Sequence, residues 1–220
     1  MFSSELGDQS ATLVRTGASD DIVNLQSTAV DSVTEILTNA GNDTINVSSD
    51  ADGDRTNPSG DPAGTLDGIL GLVCVDGNGN ETTPENSASV TAVGQTVSLS
   101  LAVGDTLNLS DQASLTNNTY TLSDTEFEKN GVPPIAYAGI ETLVIETGSG
   151  DDDFTVNSTN AGTTTFINTD GGADSVTIVT TGQQSILDVE TEAGNDTVAI
   201  ADTGTESVTL VDTADGNATV

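Results

Sequence analysis

The chain contains no histidine, no tryptophan and a single cysteine, and only 3% of its residues are aromatic. Without histidine, a Ser-His-Asp triad and the usual Cys/His zinc sites are excluded. The lone Cys74 rules out an internal disulfide framework; it lies in the apolar run ILGLVCV and reads as a buried side chain. So few aromatics argue against a large globular core. Bases are almost as scarce: Arg15, Arg55 and Lys129 stand against 35 acids, for a formal charge of −32. This imbalance argues against nucleic acid or an anionic membrane as partner and favours cations. A high-salt habitat is the competing explanation, because a dense acidic surface also keeps a protein soluble there. No apolar run approaches the ~18 to 20 residues of a membrane span, so membrane insertion is not expected. The opening MFSSELGDQS has neither the basic segment nor the apolar stretch of an export signal.

What the chain does have is a ten-residue unit, Thr-x-x-Gly-x-Asp-x-φ-x-φ with φ apolar. It opens at Thr147 (TGSGDDDFTV), Thr169 (TDGGADSVTI), Thr191 (TEAGNDTVAI) and, incompletely, Thr213 (TADGNATV), always 22 residues apart. Two further copies, TGASDDIVNL from Thr16 and TNAGNDTINV from Thr38, keep the same interval. An apolar residue stands two places before each opening threonine: Val14, Ile36, Ile145, Ile167, Val189 and Val211. Apolar pairs follow at the seventh and ninth places, as in Ile45/Val47, Phe154/Val156, Val176/Ile178 and Val198/Ile200. Alternation at period two marks strands with one buried face, and a fixed period of this size marks stacked repeats.

The expected fold is therefore all-β, a right-handed parallel β-helix (solenoid) with ~22-residue coils. Each coil reads as a strand, a Gly/Asp turn, a second strand, and a looser turn or short third strand such as NSTNAGTTT (157–165). The Pro-bearing clusters NPSGDPAG and TTPEN break the register. They divide the chain into N-terminal solenoid coils (1–50), a loop-rich insertion with a strand pair (51–104) and C-terminal solenoid coils (105–220). From 105 onward the sequence reads as a continuous series of strands. One Gly/Asp turn per coil predicts a single acidic edge.

Stacked in register, Asp152, Asp174 and Asp196 would form a column, as would Asp21 and Asp43. Unneutralised carboxylates roughly 4.8 Å apart repel by ~1 kcal/mol in water and ~3 to 4 kcal/mol at an effective dielectric of 20. Calcium removes that penalty, because it accepts six to eight oxygens from carboxylates and turn carbonyls in flexible geometry. The candidate ligands along these turns are Asp20, Asp21, Asn42, Asp43, Asp151, Asp152, Asp170, Asp174, Asn195 and Asp196. A second candidate is DADGD, with Asp50, Asp52 and Asp54 at the alternating places of a calcium loop; DGNGN, with Asp76, Asn78 and Asn80, has the same spacing. Neither has glutamate at the twelfth place, where Asp61 and Ser87 stand. The alternative for every turn aspartate is that it caps its turn through backbone hydrogen bonds. Asn-x-Ser/Thr acceptors at Asn42, Asn46, Asn80, Asn108, Asn117, Asn157, Asn195 and Asn217 make glycosylation a further expectation.

The segments GGADSVTI (171–178), AGNDTVAI (193–200) and AGNDTINV (40–47) resemble the calcium-binding repeats-in-toxin β-roll, whose nonapeptide is G-G-x-G-x-D-x-U-x. In that family the turn recurs every nine residues, whereas here it occurs once per 22. The stretch AYAGIETLVIETGSGDDDFTV also resembles repeat units of very large, repetitive bacterial surface and secreted proteins. The resemblance implies an extracellular or cell-surface structural protein stabilised by calcium: part of a surface layer, matrix or filament. Its partners would be further copies, end to end, or other matrix proteins. Val220 interrupts a repeat, which leads to the expectation of a segment of something longer. Two other readings remain: an adhesin displaying the 51–104 insertion, and, more remotely, a polysaccharide-cleaving β-helix enzyme. Catalysis has little support, since the three bases are scattered and an acidic sugar would be repelled.

Overall fold

The computed structural model describes residues 10–51, 64–77, 86–92, 95–101, 104–214, 216 and 218–220. The proposed ligands Asp52 and Asp54, together with Asn78 and Asn80, lie outside the described residues. Within the described residues all regular structure is β, and no helix is long and apolar enough to cross a membrane.

In chain order the strands are β1 (Ala11–Arg15), β2 (Ile22–Leu25), β3 (Val33–Leu37), β4 (Thr44–Val47), β5 (Leu72–Asp76), β6 (Asn86–Ala92) and β7 (Gln95–Leu101). There follow β8 (Thr106–Ser110), β9 (Thr119–Leu122), β10 (Glu126–Lys129), β11 (Ile135–Ala138) and β12 (Thr142–Glu146). The last are β13 (Asp153–Val156), β14 (Thr164–Asn168), β15 (Ser175–Ile178), β16 (Ile186–Glu190), β17 (Thr197–Ile200) and β18 (Val208–Asp212). One sheet of nine strands has the order β1-β3-β5-β11-β10-β9-β13-β15-β17. A second of seven runs β18-β16-β14-β12-β8-β4-β2, and β6 and β7 form a separate antiparallel pair. Pairing in the two large sheets is parallel except around β10, which runs against both β9 and β11.

The 22-residue interval is written directly into the ladders. Val14 pairs with Ile36, Val23 with Ile45, Phe154 with Val176, Val176 with Val198, and Ile145 with Ile167. Alternation then decides which side chains go in. Ile36, Ile45, Phe154, Val156, Val176, Ile178 and Val189 are buried in one hydrophobic cluster drawn from both sheets, while their neighbours along each strand face outward. Ordered burial in register replaces the aromatic bulk that the composition lacks.

Three expectations change, and one open alternative is decided. Cys74 is exposed, not buried, because the inward places of β5 belong to Val73 and Val75. Ile200 is also exposed, on β17 at the edge of its sheet. Of the looser turn or short third strand expected in each coil, the turn is what 157–163 and 179–185 form. The 105–220 stretch is not uniformly parallel: β9, β10 and β11 meander within the nine-stranded sheet, placing two more strands there than in its partner sheet.

Because β9, β11 and the strands paired to them are parallel, every passage from the nine-stranded to the seven-stranded sheet leaves from the same edge of the stack. The Gly/Asp turns of 16–21 and 38–43 lie on that edge, since they lead into β2 and β4. Those of 147–152, 169–174 and 191–196 lead into β13, β15 and β17, and so lie on the opposite edge. The single acidic edge is thus corrected to two. The repeat changes phase across the middle of the chain, where it takes three successive strands in one sheet.

Candidate functional site

On both edges the turn aspartates stand in line and bond to the backbone of the neighbouring repeat. On the first, the Asp21 N–H donates to Asp43 Oδ1 (2.7 Å), the Asp43 N–H to Asp105 Oδ1 (2.7 Å) and the Asp105 N–H to Glu141 Oε2 (2.8 Å). On the second, the Asn118 N–H donates to Asp152 Oδ1 (2.8 Å), the Asp152 N–H to Asp174 Oδ1 (2.8 Å) and the Asp174 N–H to Asp196 Oδ1 (3.0 Å). Asp43, Asp152, Asp174 and Asp196 are each no more than 2% exposed. A carboxylate accepting a backbone N–H gains a strong, charge-assisted bond at a place where the chain would otherwise bury an unpaired donor.

A second row runs beside the first, one residue earlier and in the opposite sense. The Asn42 N–H donates to Asp20 Oδ1 (2.9 Å), the Asp151 N–H to Asn117 Oδ1 (3.1 Å) and the Ala173 N–H to Asp151 Oδ1 (2.9 Å). Exposed Asn195 holds the equivalent place in the next repeat. Asp21 also accepts from the Gly17 N–H through Oδ2 (3.0 Å). Asp170 belongs to neither row: its backbone is left-handed (φ 58°), as at the equivalent Asn39 (φ 67°) and Glu192 (φ 53°), and its N–H donates to Asn168 Oδ1 (2.7 Å). Asp50 is exposed and belongs to neither row.

The outer oxygens of the inner row differ from repeat to repeat. Asp174 Oδ2 and Asp196 Oδ2 accept from the threonine that opens their own unit, Thr169 (2.7 Å) and Thr191 (2.9 Å). Among the described residues Asp152 Oδ2 and Asp43 Oδ2 are buried with no hydrogen-bond partner. The Thr147 hydroxyl donates instead to the Thr169 carbonyl (3.2 Å), and the Thr38 hydroxyl is likewise unpartnered. Burial pushes both Asp152 and Asp174 up to about 6, against the N–H bonds from Asn118 and Asp152 that favour their charged forms. The orphaned oxygens of Asp43 and Asp152 are places where a proton or a cation would relieve a cost. Among the described residues no group of three or more Asp, Glu, Cys or His side chains converges on a point. A calcium ion here would therefore draw on one or two carboxylates together with turn carbonyls and water.

Two further arrangements escape a search for acids. The looser turns carry their own ladder of hydroxyls: the Gly182 N–H donates to Thr159 Oγ1 and the Gly204 N–H to Thr181 Oγ1, each 2.9 Å. Ser185 and Ser207 donate to the Gly182 and Gly204 carbonyls (2.8 and 2.7 Å). The signal was present in the sequence as Thr-Gly-x-x-Ser at 181 and 203. On the outer face of the seven-stranded sheet, Asn46 Nδ2 donates to Asn24 Oδ1 and Asn108 Nδ2 to Asn46 Oδ1 (2.8 and 2.7 Å). Asn46 is 2% exposed, which removes it from the glycan acceptors of the folded chain.

Where the meander joins the stack, Lys129 and Asp111 form a buried ion pair that Asp67, 70% exposed, joins from the surface. Lys129 Nζ lies 3.0 Å from Asp111 Oδ1, 2.9 Å from Asp111 Oδ2 and 2.5 Å from Asp67 Oδ1. The Tyr120 hydroxyl donates to Asp111 Oδ2 (2.7 Å) and the Leu66 N–H to Asp111 Oδ1 (2.8 Å). The Tyr120 ring stacks between Phe127 and Phe154, with centroids 6.0 and 5.7 Å away. Burial, then the Asp111 charge, pushes the Tyr120 phenol far above its ordinary value. No family model matches the chain, nor does any curated protein or solved structure.

Proposed function

We propose that the chain is a structural segment of an extracellular assembly, a right-handed parallel β-helix whose repeats stack into a stiff rod that binds calcium along its acidic edges. The observation that carries this reading is the carboxylate-to-backbone row. Each repeat supplies the acceptor that the adjacent repeat requires, up to Asp196, beyond which Ala218 holds the next place. The outer sheet strands β1, β2 and β18 present parallel edges on which further repeats of this chain or another copy can pair, and residue 219 already pairs on β17 in the same sense. Support for calcium comes from the charge of −32 and the two orphaned carboxylate oxygens. The reading assigns the chain no reaction.

Chelation followed by circular dichroism and thermal melting tests the metal. Complete calcium removal should lower the melting temperature and calcium should restore it; an unchanged melt leaves the aspartates as turn chemistry alone. Light scattering tests the assembly. Monomers with and without calcium would sink the end-to-end reading and favour a second one, an adhesin-type module displaying the 51–104 insertion. That alternative draws on the β6–β7 pair, which joins neither large sheet.

A further inference from the structure

We propose that Lys129 and Asp111 are joined by an intramolecular amide bond between Nζ and Cγ. Nζ is within hydrogen-bond distance of both Asp111 oxygens, 3.0 and 2.9 Å, which holds the amine against the carboxyl group. The two side chains are 2% and 1% exposed; the Tyr120 ring, whose hydroxyl bonds Asp111, is stacked between Phe127 and Phe154, and the Asp67 side chain is 70% exposed. Holding a buried amine against a buried carboxyl group replaces a bimolecular condensation by a unimolecular one, with effective molarities that reach ~10⁵ to 10⁸ M in well-oriented cases.

The surrounding groups match the needs of the step. Asp67 Oδ1, 2.5 Å from Nζ, is placed to take a proton from the ammonium and free the nitrogen lone pair. The Leu66 N–H and the Tyr120 hydroxyl each hold one Asp111 oxygen, and so stabilise the negative charge that develops as nitrogen adds to Cγ. The C–N bond forms and one C–O bond breaks. Two of the three ammonium protons end on the departing oxygen, by way of Asp67, and leave with it as water; the third stays on the amide nitrogen. Nothing is oxidised or reduced and no other reagent is consumed. The condensation also abolishes a buried ion pair, whose desolvation is costly. It covalently ties β10 to the 111–118 turn at the point where the parallel stack is interrupted.

Mass spectrometry of the purified, denatured chain decides. The expected mass is that of the sequence less one water. Trypsin should cut after Arg15 and Arg55 but not after an acylated Lys129, leaving 56–220 in one piece, and fragment ions should place the link between residues 111 and 129. A mass equal to that of the sequence, with cleavage after Lys129, overturns the proposal. Lys129→Arg and Asp111→Ala should both restore the full mass. A deficit that persists in Lys129→Arg also overturns it, by locating the dehydration elsewhere. Asp67→Asn should slow the appearance of the lighter species about a hundredfold; an unchanged rate overturns the role given to Asp67.

Discussion

A β-carbon at Gly194 would collide with the carbonyl oxygen of Gly172, and one at Gly216 with that of Gly194. At Gly172, Gly194 and Gly216 the glycine of the Gly-x-Asp turn is thus required by the approach of one repeat's backbone to the next, as the bridges Gly172↔Gly194 and Gly194↔Gly216 show, whereas Gly41 also has a positive φ of 130°. Gly194→Ala should cost about 2 to 3 kcal/mol, the upper range for overpacking, read from the urea midpoint. The aspartate two places on carries a pH prediction. Asp174 and Asp152 are both raised to about 6 in the folded chain, above the ordinary 3.8. Between those values the folded state holds more protons than the unfolded one, so stability from these groups falls as pH rises through about 4 to 6 and is constant above. The melting temperature should be higher at pH 4.5 than at pH 7.5. Asp174→Asn keeps an oxygen for the Asp152 N–H and removes the charge, so it should flatten that slope. If calcium occupies the edge, the substitution should instead lower the melting temperature at pH 7.5. The alignment of Asp152, Asp174 and Asp196 was legible in the sequence because their spacing is constant. Asp105 and Glu141 were not: their partners lie 62 and 36 residues away, intervals that no period reveals.

At the scale of the strand, alternation located nearly every buried side chain of the regular repeats and mislocated Cys74, where an apolar run hid an outward place. The β9–β10–β11 meander was the part that local pattern could not supply. TYTL and EFEK alternate like any other strand, and nothing in them says that β10 turns back along the sheet that β9 has just left. One clue was present. Lys129 follows Phe127 at an inward place, and lysine is almost never fully buried unless paired. Its partners, at 67 and 111, are distant in sequence and invisible to spacing. Tyr120→Phe keeps the ring stack but withdraws the hydroxyl from Asp111, and should lower stability by about 1 to 3 kcal/mol in denaturant unfolding. Phe154→Ala, which empties one side of that stack, should cost about 3 to 5 kcal/mol in the same measurement.

Across the whole molecule, 35 acids against three bases oppose compaction. Raising sodium chloride from about 0.01 to 1 M shortens the screening length from roughly 30 to 3 Å and should raise the melting temperature. A melt indifferent to salt would show that the charge is already neutralised by bound cations. The all-β character and the stacking period were legible from composition and repeat alone. The exchange of acidic and hydroxyl turns between the two edges was not, because it depends on which sheet the chain re-enters after the meander. A stack of like repeats has no intrinsic origin: slipping β15 and β17 by one whole repeat would offer the same glycines, the same acceptors and much the same apolar pairs. The two strands without counterparts in the seven-stranded sheet occur once and fit in one place, so they act as the zero mark from which every other repeat is counted.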